Sequence, residues 1–220
     1  MPEISTTDKS NLERTANSNA VIAILDQGTE LDPDLSSSIS GVCGRLGRFT
    51  SADDLLSRHS ETFNCILVDA SSVDLPVSDL ARIISSRAGH CPIIVIIPHG
   101  APATTVATDR FRVTFLPKQV DSVAIIDALT SSIRAYNEAR LLEGNFLTLT
   151  ERERQVMKFV VEGLLNKQVA YALNISEITV KAHRGRVMRK MNAKTLPDLL
   201  YMAAKLGPAS GSVAKARSAF

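Results

Sequence analysis

Two groups of residues in this chain of 220 have the types and spacing to do chemistry. The first lies in a basic stretch, Glu177–Met191, with the sequence EITVKAHRGRVMRKM. At 3.6 residues per turn, Val180, Val187 and Met191 fall on one face. Lys181, Ala182, Gly185 and Arg189 fall on the opposite face, flanked by Arg184, Arg186 and Lys190. An inward apolar stripe backed by an outward basic face suits a helix lying in a charged groove. Small residues such as Ala182 and Gly185 let the backbone approach base edges closely. Lys181 can reach a guanine edge, and the arginines can reach bases or phosphates. Lys167, Ser176 and Thr179 complete the candidate DNA contacts. The second group is Asp26, Asp69 and Lys118, each at the end of an apolar run. Two carboxylates could converge on a divalent cation such as Mg2+, because hard cations take carboxylate oxygens. Lys118 could then neutralise a phosphoryl group on Asp69.

The basic stretch needs elements to hold it. Thr150 with Glu153 three residues on is a capping-box pattern. Val156, Phe159, Val160 and Leu164 recur at helical spacing, and Gly163 supplies the stop. Asn166 is the expected cap of a second helix that buries Val169, Ala170 and Leu173. The turn Asn174-Ile175-Ser176 follows, with Ser176 capping the basic helix and Glu177 placing negative charge at its positive end. A last helix after Thr195 is expected to bury Leu196, Leu199, Leu200, Met202 and Ala203. That surface either closes the core or in part forms a dimer contact. A charge run by itself is more often a solvated face. The turn spacing and the two preceding helices favour DNA instead. His183 reads as a hydrogen-bonded packing residue, since no second His or Cys stands within ligand spacing.

Residues 20–143 alternate short apolar runs with helical patterns. Val21–Leu25, Asn64–Val68, Pro92–Ile97 and Phe111–Leu116 read as buried strands, with a weaker one near Arg45–Phe49. Leu31, Leu35, Ile39 and Val42 recur at helical spacing between Asp32-Pro33 and the stop at Gly41. Ser51–Arg58 and Ser78–Ala88 read as further helices, and Val120–Leu142 as the longest. This alternation implies an α/β unit with a parallel sheet and helices on both faces, whose ligands bind beyond the carboxyl ends of the strands. The expected division is a disordered tail over 1–19, the α/β unit over 20–132, a helical linker over 133–147, an all-α four-helix unit over 148–207, and a flexible tail over 208–220.

Charge supports the division. From residue 148 onward there are 13 Lys and Arg against 5 Asp and Glu, whereas residues 1–147 hold 12 against 18. A basic C-terminal part fits a nucleic-acid module. Cys43, Cys65 and Cys91 show no CxxC spacing and read as free thiols of a reducing cytoplasm. Neither a membrane-length apolar run nor a signal peptide is visible, and no membrane partner is expected. GxSxG, P-loop and GxGxxG patterns are absent, and His59, His90 and His99 have no evident Ser or Cys partner in sequence, so no enzyme is expected.

The block LTERERQVMKFVVEG, LNKQVAYALNISEITVKAHRGRVMRKM, with TLPDLL behind it, resembles the LuxR-type helix-turn-helix domain, closest to the FixJ branch of the NarL/FixJ response regulators. The resemblance implies a homodimer on a two-fold operator, with Glu177–Met191 as recognition helix. ILD, FTSADDLL, CILVDAS and FLPK at the first, second, third and last strands resemble a response-regulator receiver domain. That resemblance implies a flavodoxin-like five-stranded sheet, phosphoryl acceptance by Asp69 from a histidine kinase, Mg2+ near Asp26, and Lys118 as the neutralising lysine. Three positions depart from the family pattern. The second acidic residue after strand one is Gln27, the Thr or Ser ending strand four falls on Ile97 or Pro98, and the proline after the lysine is Gln119. The segment APATTVATD is also rich in β-branched residues, which disfavour the fourth helix. The expected function is sequence-specific transcriptional regulation with an atypical receiver that works without phosphorylation, governed by another regulatory protein, a ligand or expression level. The alternatives are a conventional phosphorelay regulator and a protein-interaction or phosphate-sink module with no promoter of its own.

Overall fold

The computed structural model describes residues 20–26, 33–41, 43–57, 63–70, 79, 82, 91–98, 113–118 and 121–207. Gln27, His59, His90, His99, Gln119, the tails 1–19 and 208–220 and the segment APATTVATD lie outside these residues. So does the helix expected over Ser78–Ala88, apart from Asp79 and Arg82. The chain divides into two compact units, Met1–Asn137 and Glu138–Phe220.

The first unit is built on a five-stranded parallel sheet. Its strands are β1 (Val21–Leu25), β2 (Arg45–Phe49), β3 (Cys65–Asp69), β4 (Ile93–Ile97) and β5 (Val113–Pro117), in the order β2-β1-β3-β4-β5. Side chains alternate across the sheet with the period of two that a pleated strand imposes. Ile22, Ile24, Cys65, Leu67, Ile94 and Ile96 face one side. There they pack against Leu35 and Ile39 of α1 (Pro33–Ser40) and Ile125, Leu129 and Ile133 of α3 (Ser122–Leu147). Ala23, Leu25, Ile66, Val68, Ile93 and Val95 face the other side, with Leu55 of α2 (Ala52–Ser57) and an edge-to-face Phe49–Phe63 pair at 5.6 Å. Helices therefore cover both faces, which is why the central strands read as unbroken apolar runs. The strands over Asn64–Val68 and Pro92–Ile97 start one residue later than expected. Asn64 acts instead as a bracket: its N–H donates to Val21 O (2.8 Å), its Oδ1 accepts from Val21 N (2.9 Å), and its Nδ2 donates to Asn137 Oδ1 (2.8 Å).

The longest described helix, α3, begins at Ser122, two residues after the start expected at Val120. α3 runs unbroken through Glu143-Gly144-Asn145 to Leu147, so the expected linker is helical throughout. A Cβ at Gly144 would meet nothing within 4 Å, and an exposed glycine inside a helix weakens it without breaking it.

The second unit contains the end of α3 and four short helices, α4 (Glu151–Val161), α5 (Asn166–Leu173), α6 (Glu177–Met191) and α7 (Leu196–Leu206). Their core joins Leu142, Phe146 and Leu149 to Val156, Met157, Val160, Val169, Val180, Val187, Met191 and Leu199. Gly163, at φ +88°, follows the end of α4 in a left-handed conformation that suits glycine. In α7 the expected burial holds only in part. Leu199 is fully buried and Met202 and Ala203 are half-buried, but Leu196 and Leu200 are 37% and 39% exposed. One face of a short helix fills this core with Leu199, Met202, Ala203 and Leu206 at i, i+3, i+4 and i+7, and the other face is left outside.

Leu129 is completely buried between α3 and the sheet. Leu129→Ala should destabilise the first unit by about 2–5 kcal/mol in urea unfolding, through lost transfer energy and the cavity left behind.

Candidate functional site

The basic face is set by the caps that start its helix. Ser176 is the N-cap of α6: its Oγ accepts from Thr179 N at 3.1 Å and lies 2.7 Å from Thr179 Oγ1. Both candidate contacts therefore already orient the first turn. Asn174 (φ 50°) ends α5 in the left-handed conformation that turns the chain into α6. The start of α5 differs from expectation. Leu165 is its N-cap, Gln168 Oε1 accepts from Leu165 N at 2.8 Å, and Asn166 is the first helical residue. The side chain of Asn166 is engaged elsewhere, accepting from Arg184 Nη1 at 3.3 Å.

Val180, Val187 and Met191 are buried, as their spacing required. Lys181, Ala182, Gly185, Arg186 and Arg189 are exposed on α6, and Lys167 is exposed on α5. Arg184 is half-buried through its bond to Asn166. Lys181 makes an exposed i, i+4 ion pair with Glu177 at 3.5 Å, which water screens and which leaves the ammonium available. A Cβ at Gly185 would meet nothing within 4 Å, so this position is open towards solvent. His183 departs from expectation: its Nδ1 is buried with no hydrogen-bond partner among the described residues.

Lys190 stands apart from the other cations of α6. Its Nζ donates to Glu153 Oε2 at 2.6 Å and to Thr148 O at 2.9 Å. Glu153 is 3% exposed and is also the third residue of the α4 capping box, accepting from Thr150 N at 2.9 Å while its own N–H donates to Thr150 Oγ1 at 3.3 Å. The capping box was legible in the sequence, but its burial and its need for a cation were not. Burial pushes the Glu153 carboxyl up; the bonds from Lys190 and Thr150, with the Lys190 charge, outweigh this and hold it below its ordinary value. Ile178, not among the charged and small residues that mark this face in the sequence, is 79% exposed on the same stripe as Lys181, Ala182 and Gly185. The spacing i, i+3, i+4, i+7 carries the signal that would have included it.

The other candidate group lies at the carboxyl ends of the strands. Leu25 pairs with Val68 across β1 and β3, so Asp26 and Asp69 follow one another at the same sheet edge. The strand order reverses between β2-β1 and β1-β3, the switch point where open α/β sheets bind ligands. Both carboxylates are buried, at 4% and 6% exposed. Lys118 Nζ reaches Asp69 Oδ2 at 3.2 Å, and Lys118 N donates to Ile97 O at 2.8 Å. Asp69 pairs in register with Ile96, and Ile97 and Pro98 follow it at the end of β4. Asp26 Oδ2 is buried with no hydrogen-bond partner among the described residues, a vacancy in its bonding that suits a cation. Two carboxylates completed by water fit Mg2+, which keeps several waters in most of its sites. No cluster of three or more His, Cys, Asp or Glu with metal-holding geometry occurs among the described residues. Cys65 and Cys91 are buried free thiols, and burial pushes the Cys65 thiol up, far from a reactive thiolate.

The unit that carries the basic helix can be tested at its buried ion pair. Lys190→Met should lower the melting temperature yet leave the slope of log affinity for DNA against log salt unchanged. If Arg186 meets a phosphate, Arg186→Ala should reduce that slope by about one. The contribution of Glu153 to stability should be fully present above the ordinary carboxylate range and fade as pH falls through its depressed folded value. Thermal melts from pH 7 downward should therefore converge for the native chain and Glu153→Gln.

A family model for bacterial regulatory proteins of the luxR family (GerE) matches residues 147–203. Nodulation protein W of Bradyrhizobium diazoefficiens is 34% identical over 201 residues, covering 87% of this chain and 88% of that protein. Response regulator protein TodT of Pseudomonas putida is 30% identical, covering 90% and 91%. Transcriptional regulatory protein FixJ of Rhizobium meliloti is 37% identical over 162 residues, covering 70% and 79%. With a five-stranded parallel sheet ahead of a helix-turn-helix that presents a basic helix, the chain belongs to the response regulators with a LuxR-type output domain, which are sequence-specific DNA-binding transcriptional regulators.

Proposed function

We propose that this regulator controls its DNA-binding helix without phosphorylation of Asp69. The observation that carries this reading is the end of β4. Beside the Asp69–Lys118 pair stand Ile97 and Pro98, and neither offers a hydroxyl to a phosphoryl oxygen. A phosphoryl group there would meet a lysine and no hydroxyl from that strand, so the contact that would couple phosphorylation to a strand shift is missing. Control then rests on a partner protein, a ligand or the amount of the protein. A second reading is favoured by the pair itself. A buried carboxylate held at 3.2 Å by a lysine, near Asp26, whose buried Oδ2 has no hydrogen-bond partner among the described residues, keeps the parts of a phosphoacceptor site. In that reading Asp26 and Asp69 hold Mg2+ weakly, and a histidine kinase is the partner. The ion would offset charge on the incoming phosphoryl group, Lys118 would neutralise it, and Asp69 would accept it.

We further propose that the regulator acts as a homodimer on a two-fold operator. Lys181, Ala182, Gly185 and Arg189 would face the bases, and Lys167, Ser176, Thr179, Arg184 and Arg186 the backbone. Leu196, Leu200 and Tyr201, exposed on α7, offer an apolar face for the second copy. The working place is the cytoplasm, where DNA and reduced thiols meet; no helix among the described residues is long and apolar enough to cross a membrane.

Incubation with acetyl phosphate and Mg2+, read by intact mass and then by DNA affinity, separates the two modes of control. The expected outcome is no phosphoryl adduct and equal affinity for the native chain and Asp69→Ala. An adduct that disappears in Asp69→Ala and strengthens DNA binding overturns phosphorylation-independent control. Lys181→Ala should cost about 1–3 kcal/mol on the best site and less on random DNA, measured as two affinities at one salt concentration. Equal losses on both would remove Lys181 from base reading.

A further inference from the structure

We propose that Ile178 is a specificity-determining residue that reads the C5-methyl group of thymine, with the Ala182 methyl completing the apolar contact. This rests on Glu177–Met191 entering the major groove. Ile178 is 79% exposed in the first turn of α6, and no described residue of its own unit buries it. At about 100° per residue it lies within about 40° of Ala182 and about 20° of Gly185, on the side opposite the buried Val187. The stripe therefore shrinks from isoleucine to alanine to glycine along the helix. The face projects furthest at its N-terminal end, the end from which recognition helices reach base edges. The open space over Gly185 fits the same taper.

The chemistry of the surroundings names the ligand. Lys181, Arg186 and Arg189 are exposed on this helix, so its face selects a polyanion. An isoleucine within a basic face has no use for a phosphate oxygen. Among base edges in the major groove, only thymine presents an alkyl group. The side chain is also well prepared for the contact. A β-branched residue in a helix holds essentially one χ1 rotamer, so little freedom is lost on docking. The Ser176–Thr179 bonds at 3.1 and 2.7 Å fix the turn that carries it. Lys181, one turn further on and paired with Glu177 at 3.5 Å, can exchange that exposed partner for a guanine edge beside the methyl.

The test uses the full-length chain and the tightest duplex it recovers from a randomised DNA library. Each thymine is replaced singly by deoxyuracil, which removes only the methyl group, and affinities are measured at fixed salt. At one thymine per half-site the native chain should lose about three- to fivefold. Ile178→Ala should bind the thymine duplex with a similar loss and show no further loss with deoxyuracil, whereas Ile178→Val should keep most of the methyl dependence. The melting temperature of Ile178→Ala should hold or rise, because the side chain is exposed and alanine is the better helix former. Sequence-specific binding that tolerates deoxyuracil at every thymine overturns the contact and leaves the DNA-reading helix standing. Full methyl dependence retained in Ile178→Ala also overturns it. A recovered pool without sequence preference defeats the groove-reading helix and this contact together.

Discussion

Glu153 carries its charge at 3% exposure inside a unit of fewer than a hundred residues, and that charge must be neutralised where it stands. Lys190 does so at 2.6 Å and Thr150 N at 2.9 Å. Two elements meet in this one carboxylate, the cap of α4 and the last turn of α6, and Lys190 Nζ also donates to the carbonyl of Thr148 just before that cap. A buried carboxylate without its cation is far more costly than the pair is stabilising. The constraint therefore acts mainly on geometry, since α6 must present Lys190 at this place. The hydrophobic contacts of Val180, Val187 and Met191 fix which face of α6 points inward, and the ion pair fixes where along its axis the helix rests.

The outer face of α6 follows from that anchoring. With Lys190 drawn inward and Arg184 tied to Asn166, the exposed cations are Lys181, Arg186 and Arg189, interleaved with Ile178, Ala182 and Gly185. Positive charge supplies long-range attraction to any duplex, whereas the small and apolar residues decide how closely the backbone can approach and which base edges it can meet.

The sheet of the first unit poses a different problem, because two buried carboxylates follow the ends of neighbouring strands and Lys118 reaches one of them, Asp69. Asp26 Oδ2 has no hydrogen-bond partner among the described residues. Yet the end of β4 brings Ile97 and Pro98 to the edge where a hydroxyl would have met a phosphoryl group. Capture of charge and transmission of its arrival are separate requirements on such an edge.

The sequence by itself determined the elements and their faces. The unbroken apolar runs Ile22–Leu25 and Ile93–Ile96 mark strands covered on both faces, and the helical spacing of Val180, Val187 and Met191 states which side of that helix is buried, because backbone geometry repeats locally. Caps at Thr150, Ser176 and Thr195 were legible for the same reason, since each is satisfied within three residues. Strand ends placed Asp26, Asp69 and Lys118 at one sheet edge once the strands were taken as parallel. What the tertiary structure decided is which polar groups meet. Lys190 reads as one more cation of a basic helix until α4 brings Glu153 to it from 37 residues away. Asn166 reads as a cap until Arg184 takes its side chain, and Leu196 and Leu200 read as core until the surface left over by Leu199 is known. Spacing encodes direction from a helix or strand axis, but the partner waiting in that direction belongs to another element, and only packing brings the two together.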